Sequence, residues 1–371
     1  QTELALKVLT GVYDVQTVYF SVEGVFTNTP PIDAYRGAGR PEAIYVIERL
    51  MDFAARKLDI DPFELRKKNF IKKEMMPYRA ASGELYDVGD FEGLLQEAIL
   101  KADVKGFSER KKDSAKKGKL RGIGLCFYIE SILGDQNETT KIEFNNQGGV
   151  NLYVGTQSNG QGHATVFAQI LHHRSGIPFE KISIIQGDSK LIQKGGGTGG
   201  SRSVTMQGNS INSTADIMIK KLSKFAANQL DAHDSEIKFS DGTFFVPDTN
   251  KHMSIMETAA TAVSENNKDI LITEYENYVP ARSFPYGAHF AELEVDPETG
   301  KTECVKYTVV DDFGILMNPM LVEGQVHGGV AQGIGQAISE HVVFDDTGQV
   351  LTGTLMDYAM PRANDVPAIS F

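Results

Sequence analysis

The sequence predicts an α+β protein with mixed, largely antiparallel sheets and packed helices, and three observations carry that class. Apolar alternation recurs in short runs joined by tight polar turns, as at 141–144 and 150–154 around Asn145-Asn146-Gln147-Gly148-Gly149, which is the pattern of hairpins. Longer runs keep a helical period instead, as in Val204, Ile211, Ala215, Met218 and Leu222. A chain of 371 residues that is 41% hydrophobic has the apolar content for substantial cores, and its length suits roughly two or three domains.

Residues 12–26 alternate loosely through Val12, Val15, Val18, Phe20, Val22, Val25 and Phe26, which predicts strands with a turn at Gly24. Thr29-Pro30-Pro31 ends that pattern. Pro41 suits the first turn of a helix whose apolar face is Ile44, Ile47, Met51, Ala54 and Leu58. Asp61-Pro62-Phe63-Glu64 is a capping box for a second helix reaching about Phe70. A third carries Phe91, Leu94, Leu95, Ala98 and Ile99. The lysine-rich stretch from Arg110 to Arg121 has no apolar period and predicts a solvated linker. It sets the domains at 1–110 and 121–371, with 111–120 between them.

Beyond it, Ile123, Leu125, Phe127 and Ile129 mark a strand that leads into the hairpin above, and Ile182 to Gln186 reads as a short strand. Hairpins are expected around Ser240-Asp241-Gly242-Thr243 and Asp296-Pro297-Glu298-Thr299-Gly300. After Asn318-Pro319, a helical period runs through Val322, Val326, Val330, Ile334 and Ile338, yet the segment also holds Gly324, Gly328, Gly329, Gly333 and Gly335. Each interior glycine costs a helix about 1 kcal/mol relative to alanine. Close approach of this backbone to another helix or to a ligand is the expected reason.

Acidic residues outnumber basic ones, 49 to 37, which argues against non-specific binding of nucleic acid and against attachment to anionic membranes. No apolar run approaches the roughly 20 residues of a membrane span. Cys126 and Cys304 are the only cysteines, so neither a disulfide framework nor the four thiolates of an iron–sulphur cluster is available. A reducing, cytoplasmic setting is expected. The chain opens at Gln1 rather than Met and stops at Phe371 in an apolar stretch, which reads as a piece of something longer.

Two Gly-rich loops organise the middle of the chain. Gly155-Thr156-Gln157-Ser158-Asn159-Gly160-Gln161-Gly162-His163 leads into a helical pattern of Val166, Phe167, Ile170 and Leu171, and Gly195-Gly196-Gly197-Thr198-Gly199-Gly200-Ser201-Arg202-Ser203 leads into a second. Glycines leave backbone N–H groups uncovered where a helix N-terminus presents its partial positive charge, which is the physics of a phosphate cradle. Arg202 would add a fork of donors. Neither loop is a Walker A or a Rossmann fingerprint, and each taken singly reads equally as an ordinary strand-to-helix turn. A third loop, Ala34-Tyr35-Arg36-Gly37-Ala38-Gly39-Arg40-Pro41-Glu42, places two arginines around two glycines. A buried arginine there needs an anion or a carbonyl; otherwise the loop is a solvated turn.

Together with Phe284-Pro285-Tyr286-Gly287-Ala288-His289 and the Gly-rich 325–336 segment, these loops resemble the molybdenum hydroxylases. The likeness is to the molybdopterin-binding large subunit of the xanthine dehydrogenase, aldehyde oxidoreductase and carbon monoxide dehydrogenase family. It implies two molybdopterin-binding domains, the second incomplete within 371 residues. It also implies that Gly160, Gln161, Gly162 and His163 lie beside the pterin dinucleotide, with Gln161 catalytic and nearest the metal. Thr198, Gly199, Gly200, Ser201 and Arg202 match a second dinucleotide loop, and Asp311, Asp312 and Phe313 a third contact. Arg36 and Gly37 match the loop on the substrate side, with Arg36 catalytic.

The implied cofactor is a molybdopterin dinucleotide in its cytosine form, carrying molybdenum held by the pterin's sulfur atoms, so no side-chain metal ligand is expected. The protein then supplies orientation and hydrogen bonds to a hydroxylation at an electrophilic carbon. Implied partners are a small-molecule substrate, an iron–sulphur small subunit and an FAD-binding medium subunit, in a dimer of heterotrimers.

The sequence departs from the family pattern in three ways. The carboxylate base that the family takes from a C-terminal Gly-rich segment would lie beyond Phe371, which makes the chain inactive by itself. An upstream Gly-rich loop is likewise outside it. Position 37 lacks the cysteine of carbon monoxide dehydrogenases, and Ala38 lacks the aromatic ring of purine hydroxylases, so an aldehyde is the expected substrate, ahead of carbon monoxide or an N-heterocycle. A non-catalytic nucleotide-binding module built on the same cradles is the reading of a different class.

Overall fold

The computed structural model describes residues 2–31, 33–132 and 134–371; Gln1, the non-methionine start, lies outside them. Contacts divide the chain into two compact units, one made of residues 1–131 with 283–371 and the other of 132–282. These borders fall away from the stretch 111–120 that the sequence suggests as a linker.

The first unit begins with α1 (Thr2–Lys7). Residues 12–26 form no strand: Tyr13 makes a single bridge to Phe70, and Val22, Val25 and Phe26 are exposed. The spacing explains the difference. Val15 and Val25 fall out of phase with Val12, Val18, Phe20, Val22 and Phe26, and Asp14, Gln16 and Gly24 interrupt the larger set, so the apolar residues are split between two faces. α2 (Arg40–Leu58) has Pro41 in its first turn and buries Ala43, Ile44 and Ala55, but Leu58, expected on the inner face, is exposed. Glu48 on the same helix is buried and satisfied by Arg66 at 3.0 Å, Tyr13 Oη at 2.5 Å and the Phe127 N–H at 3.1 Å. α3 (Pro62–Asn69) starts as expected, with Asp61 accepting from the Phe63 and Glu64 N–H groups.

The short ribbon of β1 (Tyr78–Arg79) and β2 (Leu85–Tyr86) precedes α4 (Phe91–Lys101), whose Phe91, Leu94, Leu95 and Ala98 are buried. The expected linker is instead largely α5 (Phe107–Lys116), which turns directly into β3 (Leu120–Ile129). The arginines at its two ends are compensated inside the unit, since Arg110 and Arg121 both bind Glu292 and Ser114 donates to Glu294, while Lys111, Lys112, Lys116 and Lys117 are exposed.

The second unit carries β4 (Asn137–Phe144), β5 (Val150–Val154), α6 (His163–Ser175), β6 (Ile182–Ile185) and α7 (Gly208–Gln229). A small antiparallel sheet follows, β7 (Lys238–Ser240), β8 (Thr243–Phe245) and β9 (His252–Ser254), then α8 (Ile255–Ser264), α9 (Lys268–Leu271) and β10 (Ile272–Tyr278). The main sheet has the order β10-β4-β5-β6, antiparallel except for β5 with β6. That one parallel pair is the crossover that contains α6. α6 and α7 pack together and bury Val166, Phe167, Ile170, Leu171, Ile211, Ala215, Met218 and Leu222. The two ends of the unit are tied: Val279 N–H donates to the Gln136 carbonyl at 3.0 Å, and Gln136 Nε2 returns a bond to the Val279 carbonyl at 2.9 Å.

The chain then completes the first unit with β11 (Tyr286–Val295), β12 (Thr302–Asp312), α10 (Pro319–Ile338) and β13 (Ile369–Ser370). The sheet order is β13-β12-β11-β3, with β13 parallel to β12 and the other pairs antiparallel. An aromatic core sits beneath it, with Phe70 against Phe127 at 4.9 Å and Phe91 against Tyr286 at 5.0 Å between ring centroids. Among the described residues, no helix is long and apolar enough to cross a membrane.

Candidate functional site

The first loop, 155–162, links β5 to α6. Its glycine at 162 takes a left-handed φ of 83° and serves as an N-cap without a side-chain bond, so the first turn of α6 keeps its N–H groups for another acceptor. Ala164 and Thr165 are exposed there. His163 is turned inward: its ring lies 5.0 Å from that of Phe167, its Nδ1 is 3.4 Å from the Thr156 carbonyl, and burial lowers its pKa. Gln161 accepts at Oε1 from the Asn159 N–H at 2.5 Å and from Ser158 Oγ at 3.3 Å. Its oxygen is committed within the loop, so an outward contact falls to its amide NH2.

The second loop, 195–200, crosses the first. A Cβ on Gly195 would stand 2.5 Å from Gly155 Cα, and one on Gly155 would stand 2.5 Å from both Gly195 Cα and Glu138 Oε1. Only bare backbones can pass at this distance. Thr198 Oγ1 donates to the Gln157 carbonyl at 2.6 Å, which fastens the loops at a second point. Gly200 and Ser201 turn the chain through left-handed φ values of 63° and 60° into a π-type turn, Ser203–Gln207, that opens into α7. Gly160 and Gly199 face open space, with nothing within 4 Å of where a Cβ would stand. At Gly199 neither a left-handed backbone nor protein packing calls for glycine.

Arg202 does not present its fork to the outside. It is 1% exposed, and its nitrogens bind the Asp135, Asn137 and Gly197 carbonyls and the Glu138 carboxylate at 2.7–3.0 Å. Two residues that sequence reasoning missed complete this arrangement. Glu138 accepts from the Gly196 N–H at 3.2 Å. Gln207, fully buried, accepts at Oε1 from the Gly155 N–H at 3.1 Å and from Thr156 Oγ1 at 3.2 Å. A signal for Glu138 existed: it shares the inward phase of β4 with Thr140, Ile142 and Phe144, and a carboxylate on that face requires a cation.

The remaining predicted residues lie on the other unit. Arg36, Gly37, Ala38 and Gly39 have consecutive positive φ values of 43°, 127°, 54° and 92°, which makes this a strained loop. Arg36 is exposed and donates to the Gln325 carbonyl at 3.1 Å and Oε1 at 3.3 Å, reaching α10 beside Gly328 and Gly329. The buried arginine is Arg40, which binds Glu130 and the Ser131 and Gly37 carbonyls, the latter two at 2.7 Å.

At the end of β12, Asp311 accepts from Tyr128 Oη at 2.9 Å and lies 3.1 Å from His289 Nε2. Asp312 accepts from Tyr286 Oη and the Gly314 N–H, and Phe313 is half-buried beside them. Both carboxylates are therefore engaged in shaping the strand end. Among the described residues, no group of three or more His, Cys, Asp or Glu side chains is placed to hold a metal ion.

Comparison with known proteins supplies a family. The description "Molybdopterin cofactor-binding domain" fits residues 97–367 and, in a second form, residues 1–70. The carbon monoxide dehydrogenase large chain of Hydrogenophaga pseudoflava is 33% identical over 97% of this chain and 47% of its own length. The nicotine 6-hydroxylase large subunit of Paenarthrobacter nicotinovorans is 32% identical over 96% of this chain and 46% of its own. The crystal structure of quinoline 2-oxidoreductase from Pseudomonas putida 86 superposes with a TM-score of 0.92 at 30% identity, covering 100% of this chain and 49% of that one. The chain thus spans about half the length of the relatives it matches.

Proposed function

Because this chain belongs to the molybdopterin-cofactor-binding large subunits of the molybdenum hydroxylases, we propose that its paired loops hold a pterin dinucleotide, of the cytosine form, for the oxidation of a small aldehyde to its carboxylic acid. One observation carries the reading. The loops cross at backbone contact distance, the space beside them is open at Gly160 and Gly199, and the start of α6 has no side-chain cap on its N–H groups, a fit for a phosphate-bearing ligand at a helix start.

When bound, the molybdenum-carrying pterin supplies a two-electron oxidation with oxygen from water. The chain supplies position. The N–H groups at the start of α6 and the exposed rim of 195–200 would meet the dinucleotide, Gln161 would donate through its amide, and Arg36 would face the substrate while α10 orients it. Electrons would pass to an iron–sulphur small subunit and an FAD-binding medium subunit, in a dimer of such heterotrimers.

The aldehyde is supported by the 36–39 loop. A Cβ at Gly37 would stand 2.3 Å from the Pro41 ring, so this backbone has no room for a metal-binding side chain there, and Ala38 offers no ring to stack on a heterocycle. A second reading, hydroxylation of an N-heterocycle, draws on the likeness to the nicotine and quinoline enzymes. The test purifies the complete complex, quantifies molybdenum and cytidylate per chain, and compares glyceraldehyde, an aromatic aldehyde, quinoline, hypoxanthine and carbon monoxide with an artificial electron acceptor. A complex without pterin nucleotide overturns the binding role, and faster turnover of any of the last three substrates than of either aldehyde overturns the substrate.

A further inference from the structure

We propose that Glu138 and Arg202 are a positioning pair, a buried clamp that holds loop 195–200 across loop 155–160 and so sets the spacing of the two backbone cradles. The identity of the ligand rests on the function proposed above. The clamp itself is a property of this chain's own residues.

Both side chains are 1% exposed and meet at 2.7 Å. From that point the pair reaches the lead into β4, the second loop and the start of the first. Arg202 Nε donates to the Asp135 carbonyl at 3.0 Å and Nη2 to that of Asn137 at 3.0 Å, while Nη1 reaches the Gly197 carbonyl at 2.7 Å within the second loop. Glu138 accepts from the Gly196 N–H at 3.2 Å, and its Oε1 lies 2.5 Å from where a Cβ on Gly155 would stand. Gly196 is packed on the guanidinium itself, since a Cβ there would come within 2.5 Å of Nη2. Loop one, loop two and the lead into β4 therefore share one buried charge pair.

Two physical points give this arrangement a role beyond filling space. A buried ion pair adds little net stability over well-packed apolar residues of the same volume, whereas a guanidinium fork fixes several carbonyls in one plane, which an apolar side chain cannot do. The positive charge is also neutralised inside by Glu138. Attraction for an anion is left to the exposed backbone dipoles, and the clamp determines where those dipoles sit.

Local opening of the loop is the direct readout. Lys190 and Lys194 are exposed just before Gly195, while Lys251 and Lys268 are exposed elsewhere in the same unit. The complete complex with the unmodified chain or its Arg202→Lys, Glu138→Ala and Glu138→Gln variants is digested briefly with trypsin, and first cuts in this chain are mapped by mass spectrometry. Arg202→Lys keeps the charge but loses the fork, so cutting after Lys190 and Lys194 should speed up at least about tenfold, the effect of losing even one charge-assisted hydrogen bond. Cutting after Lys251 and Lys268 should not change.

Glu138→Gln, which keeps an acceptor oxygen, should recover most of the protection that Glu138→Ala loses. Unchanged cutting at Lys190 and Lys194 in Arg202→Lys, or equal acceleration at all four lysines, overturns the clamp. If Glu138→Ala opens everywhere, Arg202→Lys decides alone. Pterin nucleotide retained per chain is measured on the same samples. Its absence from the unmodified protein overturns the function proposed above, while the cutting pattern still decides the clamp.

Discussion

Replacing Gly195 by alanine tests the crossing of the two loops. The new Cβ would stand 2.5 Å from Gly155 Cα and 2.9 Å from its carbonyl oxygen. Both opposing atoms are backbone, and Gly155 is held by the bond from its N–H to Gln207, so no side chain can rotate away. Forcing a methyl group into a closed contact costs about 1–3 kcal/mol. For a unit of this size each kcal/mol moves the melting midpoint by about 2–4 °C, so a fall of about 2–12 °C is expected by scanning calorimetry. Gly199→Ala is the matched control. Nothing lies within 4 Å of its Cβ position, so its stability should stay within about 0.5 kcal/mol of the parent, while retention of bound nucleotide should fall. Parental melting of Gly195→Ala, or equal destabilisation by both substitutions, would refute the reasoning.

Two further outcomes follow from buried charge on the first unit. Burial alone would raise the Glu292 carboxyl, but hydrogen bonds from Arg110 and Arg121 outweigh it and hold its pKa below the ordinary 4.5. A depressed folded value means stability that is complete above the unfolded pKa and is lost as pH falls through the folded one. Glu292→Gln should thus lower urea stability at neutral pH and flatten its decline as pH falls below the ordinary 4.5; an unaltered acid limb would remove Glu292 from the account. Arg40→Ala removes the ion pair with Glu130 and the guanidinium bonds to the Ser131 and Gly37 carbonyls. It should cost about 3 kcal/mol, the lower end for a broken buried pair because Glu130 keeps some solvent; a urea midpoint unchanged from the parent would show the anchor to be redundant.

Elements with a sustained apolar period were legible in the sequence. The faces of 163–175 and 208–229 were readable because each buries one stripe against the sheet, and the Asp61 cap because its bonds are local. Residues 12–26 misled because β-branched residues out of phase still look like a strand when a partner ladder cannot be seen. The helix over Phe107–Lys116 was hidden because its Arg110 and Ser114 answer Glu292 and Glu294, more than 170 residues later in the sequence.

The site was legible as loops but not as roles. Pattern alone separates Arg36 from Arg40 no better than it separates a donor facing outward from one facing in. The structure makes Arg40 the buried anchor and Arg36 the exposed tether to α10. Arg202 looked like an outward donor because its acceptors are main-chain carbonyls, which no side-chain alphabet reveals.

The tie between Gln136 and Val279 has a consequence for how the chain acquires its fold. β3 must pair with β11, and the ladder sets Ile129 opposite Tyr286, so a partner synthesised long after β3 has left the ribosome completes the sheet. An inserted unit that closes its own ends converts that distant encounter into a short one, removing a loop-closure penalty that grows by about 0.6 kcal/mol with each doubling of length. Until then β3 is an unpaired strand with an exposed Leu120 at its start, and such edges recruit other chains. Slow assembly of 132–282 would therefore surface as aggregation seeded at 120–129, in a segment remote in sequence from the defect.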